Sequence, residues 1–515
     1  MKILTNQSKK KIINIFIASQ EDNIDLSLKI YEWIEVNKKN YKPHILLLTP
    51  LEEIIYPRNL KHRIKNKRFI SSWENIKRLL LFNDPFTELK ENYNDIYKKL
   101  CKEVCSHPSQ LNDLNRRKQY KVVDSQYLLR VFCAQALHFI NIFSQFKQAL
   151  IIDTIIYDSS RTILLESAKY CGVNYRTLIH SRFKNFFLKT EHLGLDVPLK
   201  LINTKVDHEI KLKAFSEIKG FCKQNNLVPS HEAKFLIKKF SVGKSFLLLR
   251  ESFIRTFIYF LRFIRESKQV TLKFKLTKYK SSLTGGTLKT LINSLICNLR
   301  EFKRLWMRVD KIIKIPSKYI YFPLPNTIEN SEIRFNGGYL SDKLVIDLVR
   351  ISLGNIKLLV KDHRSMIKDR TSQQISDMKK IYNLIYLSEW QHNKGITNTR
   401  KLIENSLATL VVSGTAGLEA ALLGKPVFII GTPIYAEFFR LKGIKLGILD
   451  DLNKANMNDQ DDFKKYIVNK DVVESYIQSI ISYGLNAEVY KLLRNPDDKK
   501  LAKDLELLVN YLLSD

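Results

Sequence analysis

The chain has 515 residues and a formal net charge of +33, with 45% hydrophobic and 27% charged residues. That balance excludes a disordered or collagen-like chain and leaves length for two domains, each with its own core. Six cysteines without a paired framework and an N-terminus without a secretory apolar core predict a reducing cytoplasmic setting.

The charge admits a nucleic-acid partner, an anionic membrane surface or acidic substrates. Lysines are spread along the chain and no nucleic-acid module is present, so the last two rank first and no nucleic acid is expected.

Lys11–Ala18 is a β-rich apolar run, followed by an amphipathic helix through about Val36 and a second strand, His44–Pro50. This βαβ start predicts a doubly wound parallel sheet. Ser19 and Asp22 fall in its first strand-to-helix turn, where such sheets bind ligands. The stretch 60–147 has helical patterning and is expected to elaborate the first domain. Its longest apolar run, Tyr127–Phe146, is broken by Arg130, Gln135, His138 and Asn141 and predicts a buried helix instead of a membrane span. Cys101, Cys105 and His107 lack a fourth ligand, so no metal is expected there.

Leu150–Tyr157 predicts a strand ending at Asp158-Ser-Ser-Arg161, and Tyr175–Arg182 another that ends with His180, Ser181 and Arg182. Asp158 is either an N-cap of the following helix or a general base; His180 is either a base or a histidine held within the sheet. Between 234 and 318, about twenty Lys/Arg stand against about four acids. Within it Ser245–Arg265 interleaves aromatic residues with Arg250, Arg255, Arg262 and Arg265, which suits an interfacial helix or an exposed inter-domain helix.

The last part of the chain is organised around Thr409–Gly431. Leu410–Val412 is a short apolar strand, Ser413–Gly417 a turn of small residues, Leu418–Leu423 a helix stopped by Gly424, and Val427–Ile430 the next strand. Small residues at a helix N-terminus leave backbone N–H groups open to an anion, typically a phosphate; the alternative is a tight turn with nothing bound. Glu419, one turn in, suits sugar or ribose hydroxyls. No Asp-x-Asp metal signature lies at a strand end.

The run Ser413-Gly-Thr-Ala-Gly-Leu-Glu-Ala-Ala-Leu-Leu-Gly-Lys-Pro-Val427 resembles the C-terminal signature of bacterial capsule and surface-polysaccharide biosynthesis proteins, the group that includes the Kdo transferases of capsule assembly. Tyr319–Ser331 with Gly337-Gly338, and Leu358–His363, resemble two further segments of that family in the same order, with Ile328 and Arg364 where the family has proline. The resemblance implies a metal-independent, cytoplasmic glycosyltransferase of capsule or lipopolysaccharide assembly with no cofactor, its donor a nucleotide sugar such as CMP-Kdo and its acceptor a glycan or glycolipid. It also implies the GT-B architecture, two Rossmann-like α/β domains facing a cleft.

On that reading residues 1–233 form the acceptor-side domain, 234–318 a basic helical insertion, 319–484 the nucleotide-sugar domain, and 485–515 helices that pack back. The donor would lie on Glu329, Ser331, Lys361, His363, Ser413, Gly414, Thr415, Ala416, Gly417 and Glu419. Asp158 and His363 would be catalytic, with Arg161, His180 and Arg182 toward the acceptor, and Tyr435 resembles an aromatic of the nucleotide pocket. A GT-B-like epimerase, a polyol-phosphate transferase, or a non-catalytic scaffold holding membrane or glycan are the competing readings.

Overall fold

The computed structural model describes residues 12–19, 23–48, 67–70, 76, 79, 83–106, 125–146, 148–154, 159–191, 196–223, 296, 299–300, 303, 315–325, 342–353, 356–363, 366, 370–388, 398–412, 414–454 and 461–514. The basic stretch Ser245–Arg265, with nearly all of 234–318, lies outside them.

Two sheets organise the chain. The first begins with β1 (Ile13–Ser19), α1 (Ile24–Asn37), β2 (Tyr41–Leu47) and β3 (Phe69–Ile70). Helices α2 (Pro85–Asn92), α3 (Asn94–Ser106) and α4 (Ser125–Phe143) lead to β4 (Ala149–Ile152), α5 (Ser159–Tyr170), β5 (Asn174–His180) and β6 (Phe186–Thr190). Strands β1 to β5 are parallel, in the order β5-β4-β1-β2-β3. The sheet is not wholly parallel, however, because β6 runs antiparallel to β5 through a tight hairpin.

Alternate residues of these strands face opposite layers, as the two-residue period of a strand requires. Ile15, Ile17, Ile45 and Leu47 pack on α1. Phe16, Ala18, Leu46 and Leu48 pack on α2 to α5, so these helices form a full layer of the first core and not an appendage. Buried on both faces, the strands read as continuous apolar runs.

Two helices follow, α6 (Val197–Ile202) and α7 (His208–Lys223), before the second sheet. That sheet comprises β7 (Tyr319–Pro323), α8 (Asp342–Leu353), β8 (Lys357–Asp362), α9 (Ser372–Lys379), β9 (Leu384–Ser388), α10 (Thr399–Glu404), β10 (Ala408–Val411), α11 (Ala416–Leu422) and β11 (Val427–Ile429). All five strands are parallel, in the order β11-β10-β7-β8-β9. Helix α12 (Ile434–Leu441) and the long α13 (Lys470–Tyr483) complete one face.

The chain then returns to the first sheet. Strand β12 (Leu485–Asn486) pairs antiparallel with β6, and α14 (Val489–Arg494) and α15 (Ala502–Leu513) lie over the α1 layer. A single apolar cluster spans the junction of the sheets. It joins Phe183, Leu188, Val197 and Phe221 from the first part of the chain to Tyr321, Val411, Tyr435 and Tyr476 from the second. The architecture is GT-B-like: two doubly wound α/β sheets, here with an antiparallel edge on the first.

Candidate functional site

In each sheet the strand order reverses once. The chain lays down β7, β8 and β9 in one direction and then places β10 on the other side of β7, so the switch point lies between β7 and β10. In open parallel sheets ligands bind at that crevice, beyond the carboxyl ends of the strands. The small-residue turn 413–417 leaves β10 at this edge.

Ser413 is outside the described residues, but its neighbours define the turn. A Cβ on Gly417 would lie 2.3 Å from the Tyr435 hydroxyl oxygen and 2.8 Å from Val411 Cγ2, so only glycine fits. Gly414 is different: among the described residues a Cβ there meets nothing within 4 Å. The Tyr435 hydroxyl donates to the Gly414 carbonyl at 2.7 Å. Tyr435 is fully buried and holds the turn from below, so its ring is not available to stack on a base. The first N–H groups of α11 have no partner within the helix and point to the Gly414 side.

Around the turn lies a buried polar group. Lys361, the penultimate residue of β8, is 6% exposed and its Nζ donates to Thr399 Oγ1 at 2.8 Å. Thr399 opens α10, whose N-cap Asn398 accepts from the N–H groups of Arg400 and Lys401. Glu419, read from sequence as an acceptor for sugar or ribose hydroxyls, is 4% exposed. Burial pushes its carboxyl up to about 7, against the opposing pull of the Thr415 hydrogen bond and the Lys361 charge.

His363 follows β8 and is exposed, with its backbone fixed from behind. Asp362 accepts from the His363 N–H at 2.9 Å and from Arg370 Nε and Nη2, both at 3.0 Å, and from the Tyr386 hydroxyl. Asp362 and Arg370 are both buried. Sequence reasoning missed this brace because a charged residue ending a strand is ordinary. The spacing Asp362 to Arg370 carried no signal without the loop that closes between them. Thr399 was missed for the same reason.

The first-sheet candidates divide. Asp158 lies outside the described residues, as do Glu329, Ser331, Asp22 and His107. Arg161 is buried and its Nε donates to Asp153 at 2.8 Å, tying α5 to the exit of β4, while Tyr175 donates to the same carboxylate at 3.1 Å. His180 is held by both ring nitrogens: Nε2 lies 2.8 Å from the Lys184 carbonyl and Nδ1 accepts from the Arg182 N–H at 3.0 Å. Burial and the Arg182 charge push it down to about 4, so it is a neutral turn-former.

Arg182, with φ 67°, sits at the tip of the β5–β6 hairpin and is partly exposed. The preceding carbonyl, of Ser181, accepts from the Tyr476 hydroxyl at 2.8 Å. Tyr476 packs on Phe439 at 5.8 Å, and Phe439 on Tyr435 at 6.0 Å. A continuous line of contacts thus runs from the Arg182 hairpin of the first sheet to the Gly414 turn of the second.

Among the described residues no group of three or more His, Cys, Asp or Glu could hold a metal ion, and no helix is long and apolar enough to cross a membrane.

No protein-family model matches the chain, and no curated protein does. Among solved structures the chain is similar to the KpsC β-Kdo 2,7 transferase of Thermosulfurimonas dismutans, at 12% identity over 73% of this chain and 88% of that one, TM-score 0.35. It is also similar to the UDP-GlcNAc 2-epimerase of Methanocaldococcus jannaschii, at 9% identity over 90% and 97%, TM-score 0.25. A third is Medicago truncatula UGT71G1 complexed with UDP-glucose, at 12% identity over 98% and 99%, TM-score 0.25. The likeness is one of fold. Any functional reading has to rest on the side chains at the β7/β10 switch point.

Proposed function

We propose that the chain is a glycosyltransferase of surface-polysaccharide assembly, acting on a nucleotide sugar, with CMP-Kdo or a related CMP-sugar as donor and a glycan or glycolipid as acceptor. The observation that carries this reading is the turn at the switch point of the second sheet. It has open space at Gly414, is pinned by Tyr435, and is flanked by buried Lys361, Thr399 and Glu419.

The donor phosphate would sit on the N–H groups of 414–417, with the hydroxyls of Ser413 and Thr415 beside it. As the acceptor oxygen attacks the anomeric carbon, the bond from that carbon to the phosphate oxygen breaks. The acceptor proton passes to a base, for which Asp158 is proposed, and the charge gained by the leaving phosphate is met by helix N–H groups, Lys361 and His363. Glu329 and Ser331 are proposed for the nucleoside, and Arg182 for an anionic acceptor. No metal enters this scheme, and the setting proposed is cytoplasmic.

Calorimetric titration with CMP, UMP, GMP, UDP and GDP tests it. Selective CMP binding is expected, weakened about 10- to 100-fold by Lys361→Ala or Ser413→Ala, the range for losing a hydrogen bond to a charged group. Gly414→Val should fold normally, since its side chain enters open space, and should block binding. Selective UDP or GDP binding would keep the site and remove the CMP-sugar donor. Failure to bind any of the five would turn the reading toward the scaffold.

A further inference from the structure

Helix α7 presents an apolar pair to solvent. Its buried side, Ala214, Ile218 and Phe221, joins the cluster between the sheets, whereas Leu212 is 58% exposed and Phe215 53% exposed. At about 100° per residue, Phe215, Lys219, Leu212 and Lys223 fall within an arc of roughly 80°, with Lys211 about 40° beyond its Phe215 edge. All three lysines are exposed.

The arc itself holds no acid: Glu217 is turned away and paired with Lys184, and exposed Glu209 stands about 40° beyond the Lys223 edge, as far out as Lys211 stands beyond the Phe215 edge. Lys219 Nζ stands over the Phe215 ring, 6.0 Å from its centroid. One exposed leucine on a soluble protein needs no explanation. Two large apolar side chains with Lys219 and Lys223 in the same arc, on a chain of net charge +33, match what an interfacial helix requires.

We propose that this face of α7 docks on an anionic phospholipid surface. Leu212 and Phe215 enter the boundary between headgroups and acyl chains, and Lys211, Lys219 and Lys223 meet lipid phosphates. Docking of this face does not depend on which nucleotide binds at the β7/β10 switch point.

Co-sedimentation of the full chain with vesicles tests it. Vesicles of phosphatidylcholine with roughly 30 mol% phosphatidylglycerol should bind the protein in a salt-sensitive manner, and pure phosphatidylcholine should not. The double substitution Leu212→Ser with Phe215→Ser, and separately Lys219→Gln with Lys223→Gln, should each lower partitioning about tenfold or more. Neither should change the melting temperature, because all four side chains are on the surface. Wild-type partitioning by both folded variants would overturn the proposal, and so would equal binding to neutral vesicles. Complete competition by heparin, with the Leu212/Phe215 variant behaving as wild type, would make the face a glycan-binding one and equally overturn lipid docking.

Discussion

Gly417 and Tyr435 solve one problem between them. The turn must bring backbone N–H groups to a ligand without side-chain bulk, yet must be rigid, and the Tyr435 hydroxyl supplies the rigidity from the protein side. Gly417→Ala should therefore push Tyr435 off its bond to the Gly414 carbonyl, lowering stability by about 1–3 kcal/mol, the usual cost of overpacking. Tyr435→Phe removes the oxygen that the new methyl would strike. The double variant is expected to lose less than the sum of the two single losses. Denaturant titration of all four proteins measures that coupling, and strict additivity would show that the two residues act independently. His180 makes the complementary point. Each of its ring nitrogens is engaged within the hairpin, so its chemistry goes into forming a turn with positive φ at Arg182 and Lys184 where no glycine is present.

At the scale of elements, the last helix belongs to the first sheet. Leu505, Leu508, Val509, Leu512 and Leu513 of α15 are buried in the α1 layer. Its C-terminal carbonyls are gripped from the strands: Arg176 donates to Leu512 and Ser514, and buried Lys189 to Tyr511 and Ser514. Five buried aliphatic side chains at about 2 kcal/mol each come to about 10 kcal/mol, comparable to the whole stability of a domain. Truncation after Leu501 is thus expected to abolish cooperative unfolding of the first unit, as followed by circular dichroism. A sharp transition in the truncated chain would refute it.

The same elements show what could be read in advance. The unit β10–α11–β11 was legible because its strands are buried on both faces and its turn residues are all small. β1, β7 and β8 were legible as apolar runs, and β5 as a strand in spite of Arg176 and Thr177. The antiparallel return β6 was not, because the hairpin before it bends at Arg182 and Lys184 instead of a glycine or asparagine, and because Lys189 interrupts the strand. That lysine is paired with a residue 325 positions away, a partner no local pattern reveals. Within the site, the glycines and Lys361 were legible by type and place. The burial of Glu419 and the Asp362–Arg370 brace were not, since both depend on how loops close over strand ends.

For the molecule as a whole, buried histidines set the response to acid. His44, His138 and His180 are each pushed down to about 4, by burial first, with nearby lysine or arginine charge adding at His44 and His180. Between about pH 6.5 and 4 the unfolded chain binds protons that the folded chain refuses, so stability falls as pH falls through that window. Glu419 acts oppositely. Its raised carboxyl takes up a proton before the unfolded chain does, so its contribution is present at low pH and is lost as pH rises toward about 7. Three groups outweigh one, and denaturation midpoints should drop from about pH 7 to about pH 5. His138 Nε2 has no hydrogen-bond partner among the described residues, so His138→Leu should flatten this dependence with little loss of stability at neutral pH. An unchanged slope in that variant would place the acid sensitivity elsewhere.

The return of the chain to its first sheet has a consequence for biosynthesis. Strand β6 ends at Thr190 and its outer partner β12 begins at Leu485, so 294 residues separate two neighbouring strands. At about 5–20 residues per second a ribosome needs roughly 15–60 s to bridge that gap. Throughout that interval the apolar side of β1, β2 and β5 has α1 over it but not α15. The nascent chain therefore carries an unfinished core for most of its synthesis, and a holdase that shelters that face until α15 emerges would raise its yield.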